Sequence, residues 1–246
     1  MKKILFVFTV FVCSSLFAAD IWETREEIDV NGMLLEKSIF ISGSVMKVLN
    51  ASPNGISETF INLDADNFTE INHKYKTFQT VKLSEYIKWS QKGINDMKEQ
   101  MKEKIGNFDP DKVIPKVTFE KQGNEVVEKW NCEIWNVVVD GKPYSKIWVA
   151  PELKNQQVIE FKKRFSAMIP EDLTKYRTVD AQIDDKFLEI GTVVKSIKLS
   201  QNPKMPTVKI SLKKMVKSNL KKIELVIPAG YVDKSAKETG NPQSEQ

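Results

Sequence analysis

The Asp140-Gly141 pair constrains this chain more than any other feature. It sits between two dense apolar runs in "KWNCEIWNVVVDGKPYSKIWVAPEL", residues 129–153. A two-residue Asp-Gly loop has the backbone twist that joins antiparallel strands, and closing it fixes which residues face one another. Val139 comes opposite Lys142, and counting outward sets Ile134 opposite Ile147, Cys132 opposite Val149 and Trp130 opposite Pro151. The other face then pairs Val137 with Tyr144, Trp135 with Lys146 and Glu133 with Trp148. Both faces carry apolar side chains, in different halves of the hairpin. A strand pair with one wet side would show clean alternation; this one needs two hydrophobic neighbours. A bulge near Ile134-Trp135 that switches the facing of the strand meets that need. So does an arrangement in which one face packs on a helix and the other lines a partly enclosed apolar cavity.

Further turn signals divide the chain into short strands. Residues 59–63 and 68–72 flank "DADN" (64–67), and "NHK" (72–74) turns into 75–83. Residues 117–121 and 125–139 flank Gly123-Asn124. Later strands are expected at 178–183, 187–199 and 208–216, the last with Val208, Ile210 and Leu212 alternating with polar residues. Two segments have helical periodicity instead. In 84–104, Ile87, Ile94, Met97 and Met101 fall on one face, with Ser84 as the capping residue and Asn107 and Asp109-Pro110 as the stop. A second helix is expected over 155–167, with Val158, Phe161 and Phe165 on one side. No internal repeat appears, and one antiparallel α+β sheet domain over 20–232 with two inserted helices is the economical architecture.

The first residues point to export. Lys2 and Lys3 precede an apolar run, Ile4 to Val12, and Ala18 and Ala19 stand before Asp20, the layout of a secretory signal peptide over 1–19 cleaved after Ala18 or Ala19. Val12 before Cys13 does not suit a lipoprotein signal. No later run reaches the ~20 apolar residues of a transmembrane helix, so a periplasmic or secreted product is expected. Lys2 and Lys3 account for two of the 37 basic residues, and the rest stand nearly even with 33 acidic ones. That balance leaves no electrostatic footprint for nucleic acid. The tail, 233–246, is polar and is expected to be disordered.

Chemistry is sparse. His73, the only histidine, has no second histidine for a metal pair and no G-x-S-x-G nucleophile, and it reads as a turn residue. "DADN" resembles the start of a calcium loop but lacks the glycine and glutamate that complete one. Cys132 falls in mid-strand between Trp130 and Ile134, where an unpaired cysteine behaves as a small hydrophobe. No catalytic residue, cofactor or metal is expected.

Three stretches, "GISETFINLDADNFTEINHKYKTFQTVKL", "WNCEIWNVVVDGKPYSKIWVAPEL" and "ELVIPAGYVD", resemble a bacterial envelope family, the domain-of-unknown-function family numbered 4412. The residues that carry the resemblance are Ile61-Asn62-Leu63-Asp64, Ile71-Asn72, Lys76-Thr77-Phe78, Cys132, Trp148-Val149-Ala150 and Pro228-Ala229-Gly230-Tyr231. The resemblance implies a curved antiparallel half-barrel similar to the periplasmic lipoprotein carriers of the LolA and LolB type, with two helices across the concave face. In such carriers the concave surface binds acyl chains. On that basis the expected function is non-enzymatic binding of a lipid or lipoprotein acyl chain, lined by Ile61, Leu63, Trp135, Val137, Trp148, Met97 and Met101. The alternative is an envelope protein-interaction or sensing module whose sheet is filled by its own side chains.

Overall fold

The computed structural model describes residues 20–106, 114–170, 178–199 and 206–235. The leader expected at 1–19 and the tail beyond Ser235 lie outside the described residues. Six strands come first: β1 (Trp22–Val30), β2 (Met33–Ser42), β3 (Val45–Ser52), β4 (Gly55–Asn62), β5 (Asn67–Asn72) and β6 (Thr77–Lys82). Helix α1 (Leu83–Ile105) follows, then β7 (Val117–Val127), β8 (Trp130–Val139) and β9 (Lys142–Ala150). Helices α2 (Gln156–Ala167) and α3 (Val179–Leu188) precede β10 (Thr192–Lys198), β11 (Val208–Lys217) and β12 (Val232–Asp233).

All twelve strands join one sheet in the order β12-β6-β5-β4-β3-β2-β1-β11-β10-β9-β8-β7. Two meanders, β1 to β6 and β7 to β11, meet where β1 pairs with β11, Trp22 opposite Lys217 and Val30 opposite Val208. Among the described residues, only the short β12–β6 contact is parallel. Tight turns explain the meanders: Asn31-Gly32 and Asp140-Gly141 both place two successive residues at positive φ, the requirement of a two-residue hairpin loop. No helix among the described residues is long and apolar enough to cross a membrane.

The two meanders differ in regularity. Ladders from β1 through β6 run without a shift. Around β7 to β11 and β1, four ladders each skip one residue, at Gln122, Tyr144, Val194 and Lys213. Each skip is a bulge, which bends and twists its strand.

Several expectations are corrected. Three α-helices, not two, stand among the described residues. Residues 178–183 are not a strand: Thr178 caps α3 through its Oγ1, which accepts the Ala181 N–H at 3.2 Å, and Val179, Ile183 and Phe187 recur every four residues on one face. The strand expected from 187 begins only at Thr192. Gly123-Asn124 is not a hairpin turn. β7 runs through it with a bulge at Gln122 and turns at Glu128-Lys129. Asp233 to Ser235, read as the start of a disordered tail, lie along β6: Val232 N–H donates to Lys76 O, Lys234 N–H to Phe78 O, and Thr80 N–H to Ser235 Oγ.

Three core clusters hold the fold. One lies where α2 and the first two turns of α1 meet β2 to β6, with Phe161, Leu83 and Ile87 against Ile41, Ile61, Leu63, Phe68 and Val81. The second joins Trp130, Cys132, Trp148 and Ala150 to Val194 and Leu212. The third packs Ile183 and Phe187 of α3 on Val137, Ile147 and Val149.

Candidate functional site

The Asp140-Gly141 hairpin is packed on both faces. One face, with Trp135 and Val137, packs on α3, and Trp135 and Phe119 both meet the Phe187 ring edge-on. The other face, with Trp130, Cys132, Ile134 and Trp148, is filled by β10 and β11 side chains. The register differs from the expected one. Tyr144 is skipped, so Trp135 faces Ile147, Ile134 faces Trp148 and Glu133 faces Val149. That slip moves Trp148 away from Trp135 and Val137 and onto the Cys132 face. Its indole N–H donates to Glu125 Oε2 at 2.8 Å, and Lys146 and Lys195 both lie over its ring.

The seven expected ligand contacts therefore fall in four places. Ile61 and Leu63 are buried in the first cluster, Val137 and half-buried Trp135 belong to the third, and Trp148 belongs to the second. Met97 and Met101 stand exposed on α1, at 57% and 38%. Among the described residues, the buried side chains of α1 lie at its start. Leu83 and Ile87 are buried, and Tyr86 stacks on Phe68 at 4.2 Å. Beyond that point the apolar stripe of Ile94, Met97 and Met101 belongs to no core cluster.

A different apolar surface emerges from the cross-strand register. On the face that carries α1 and α2, one row runs Trp22–Ile41–Met46–Ile61–Phe68–Val81, paired neighbour to neighbour from β1 to β6. Side chains two apart along a strand share a face. Stepping along β1, β2 and β11 on this same face gives Ile28 paired with both Leu35 and Ile210, then Val30 paired with both Met33 and Val208. The reverse face of these strands carries Glu27, Asp29, Glu36, Lys209 and Ser211, with Leu34 exposed among them. These six apolar residues belong to none of the three clusters. Five are half-buried and Met33 is 43% exposed. They form an apolar wall about three strands wide, roughly 14 Å at about 4.8 Å per strand. Sequence reasoning overlooked this wall, although "EEIDV" (26–30) alternates charge and apolar residue, the half-buried strand signature.

The residues singled out for chemistry have structural partners. Asp64 pairs with Arg164 of α2 at 2.5 Å, and Asp66 accepts hydrogen bonds from Ser84 at the start of α1. The "DADN" turn thus fastens two helices. His73 Nδ1 lies 2.9 Å from the Tyr231 hydroxyl, and its Nε2 lies 3.9 Å from Glu58, a buried carboxylate that Lys47 approaches to 2.8 Å. Tyr231 belongs to the segment after β11, which leaves β1 with Ser218 N–H donating to Ile21 O and ends beside β6. His73 is an anchor for that crossing. Cys132 is 1% exposed, and burial pushes its thiol pKa up, with Glu152 and Glu125 adding to the effect. A buried, protonated thiol is a poor nucleophile.

No family model matches the chain, so the resemblance to the family numbered 4412 stands on its quoted residues alone. No curated protein matches either. Among solved structures, the chain is similar to an uncharacterized conserved protein from Thermus thermophilus, at 7% identity and a TM-score of 0.46 over 87% of this chain and 90% of that one. It is also similar to a LolA superfamily protein from Nitrosomonas europaea, at 6% identity and 0.27 over 82% and 87%. A DUF1329 family protein from Desulfovibrio piger aligns at 11% identity and 0.27 over 82% and 87%.

Proposed function

We propose that this protein is a non-enzymatic, exported carrier that holds a hydrophobic chain against the helix-bearing face of its sheet. The observation that supports this reading most directly is the apolar wall of Ile28, Val30, Met33, Leu35, Val208 and Ile210, paired strand to strand and outside every core cluster. One wall is not enough. A chain of about ten methylenes at ~0.8 kcal/mol each gains about 4 kcal/mol if half covered, before ordering costs. A second apolar surface closing over it raises the gain to about 8 kcal/mol. The stripe of Ile94, Met97 and Met101 on α1 is that second surface in our reading. The chain would then lie between sheet and helix, as the resemblance to LolA- and LolB-type carriers implies. The leader at 1–19 is the basis for placing the carrier in the periplasm or outside the cell.

Native mass spectrometry of the protein purified from its own compartment tests the reading. The expected result is a co-purifying lipid, or a mass shift with added fatty acid, that is lost in Leu35→Asp and reduced in Met97→Lys/Met101→Lys. Absence of both a co-purifying lipid and any response to added fatty acid sinks it, and favours an envelope interaction module with a self-filled core.

A further inference from the structure

The apolar wall is bordered by a polar row on the same sheet face. Two residues back from Ile28 and two on from Leu35, Glu26 pairs with Lys37, Lys37 with Asn50, Asn50 with Ser57, and Ser57 with Asn72. At its β3–β5 end this row opens into a surface depression of about 490 Å³, whose lining includes Asn50, Ser57, Asn72, Lys74 and Tyr75 beside the exposed Ile56. The chemistry there is mostly neutral. Glu26 and Lys37 offset each other at 3.5 Å, and the Lys74 ammonium lies over the Tyr75 ring at 5.5 Å. Asn72 Oδ1 accepts the Tyr75 N–H at 3.1 Å. Amides and hydroxyls both donate and accept, and an exposed tyrosine ring offers an apolar face beside them.

We infer that the ligand is an amphiphile whose uncharged, hydroxyl-rich head, of sugar or glycerol type, sits in this depression while its chain runs across β2, β1 and β11. This inference rests on the chain-binding reading above and adds the class of head group. A carboxylate or phosphate head would look for paired cations; the row supplies one lysine already matched by Glu26 and one at the rim. A quaternary ammonium would look for an aromatic cage, and one tyrosine does not make one. Amide and hydroxyl side chains spaced one strand apart suit successive hydroxyls of a single head.

Isothermal titration of the whole protein with three ten-carbon probes below their micelle concentrations tests this: decyl maltoside, decyl sulfate and decyltrimethylammonium. Decyl maltoside is expected to bind most tightly. Asn50→Ala/Ser57→Ala should weaken it by about tenfold, the loss of one or two neutral hydrogen bonds, and leave the other two probes unchanged. Asn50→Asp, a smaller change to the fold, should weaken it in the same direction. Equal affinity for all three heads, or the same loss for all three in the variants, overturns the head-group assignment while leaving chain binding intact. Binding of none of the probes overturns the chain-binding reading, and the head-group site with it.

Discussion

Asp66 and Ser84 join the β5 end of the sheet to the start of α1. The carboxylate accepts the Ser84 backbone N–H at Oδ1, 2.8 Å, and the Ser84 hydroxyl at Oδ2, 2.6 Å. Ser84 was expected to cap this helix with its own side chain. The residue at the cap, Lys82, makes no side-chain cap bond, and the turn eighteen residues earlier does the capping. The first free N–H groups of a helix need acceptors, and a carboxylate also suits the positive end of the helix dipole.

Asp66→Ala should therefore cost about 1 kcal/mol, the usual worth of a side-chain cap, and loosen α1. Hydrogen bonds from Ser84 hold the Asp66 carboxyl below its ordinary value of 3.8. A depressed folded pKa contributes stability that is present above that ordinary value and lost as pH falls through the folded one. The urea midpoints of wild type and Asp66→Ala should differ at pH 7 and converge below about pH 4. A constant gap at all pH values would contradict the capping role.

Gly191 lies against the backbone of the hairpin. A Cβ there would meet Ala150 O at 2.3 Å and Pro151 Cα at 2.7 Å. No side-chain movement relieves a backbone clash, so Gly191→Ala should destabilise by about 1–3 kcal/mol, the usual range for overpacking. A thermal melt of the variant checks this; an unchanged midpoint would mean that β9 and β10 do not approach as described.

Cys132 should resist labelling. In a Cys13→Ser background, a thiol reagent at pH 8 should modify the protein only as it unfolds, in step with loss of tryptophan fluorescence change under urea. Rapid modification of the native protein would remove Cys132 from the core. The raised thiol pKa and near-zero exposure both argue for slow reaction.

Phe187 and Leu35 should separate stability from binding. Phe187 is 1% exposed and anchors α3, so Phe187→Ala should cost about 3–5 kcal/mol. Leu35 is half-buried and belongs to no cluster. Leu35→Ala should cost about 1 kcal/mol or less of stability while weakening chain binding. Equal destabilisation at the two positions would make the wall ordinary core.

Local signals were legible where a residue's effect is confined to its neighbours. Asp140-Gly141 adopts the expected turn, and the helix expected over 155–167 forms as α2. Val208 to Leu212 alternates as a strand should. Helix α3 was missed because Val179, Ile183 and Phe187 span barely two turns, too short for periodicity to outweigh strand propensity. Gly123 looked like a turn because glycine marks bulges and turns alike; its φ of 155° serves a bulged strand.

What the sequence determined by itself was the strand-and-turn grammar, the α1 stripe and the need of one hairpin for two apolar neighbours. Which neighbours those are was decided only by tertiary structure. A single skipped residue, Tyr144, sends Trp148 to the opposite face from the one the turn alone dictates, because side-chain facing in a strand has a period of two and one extra residue inverts it. The candidate site was hidden for a related reason. Ile28, Leu35 and Ile210 become one surface only when β1 pairs with β11, a contact between residues nearly two hundred positions apart that no local pattern specifies.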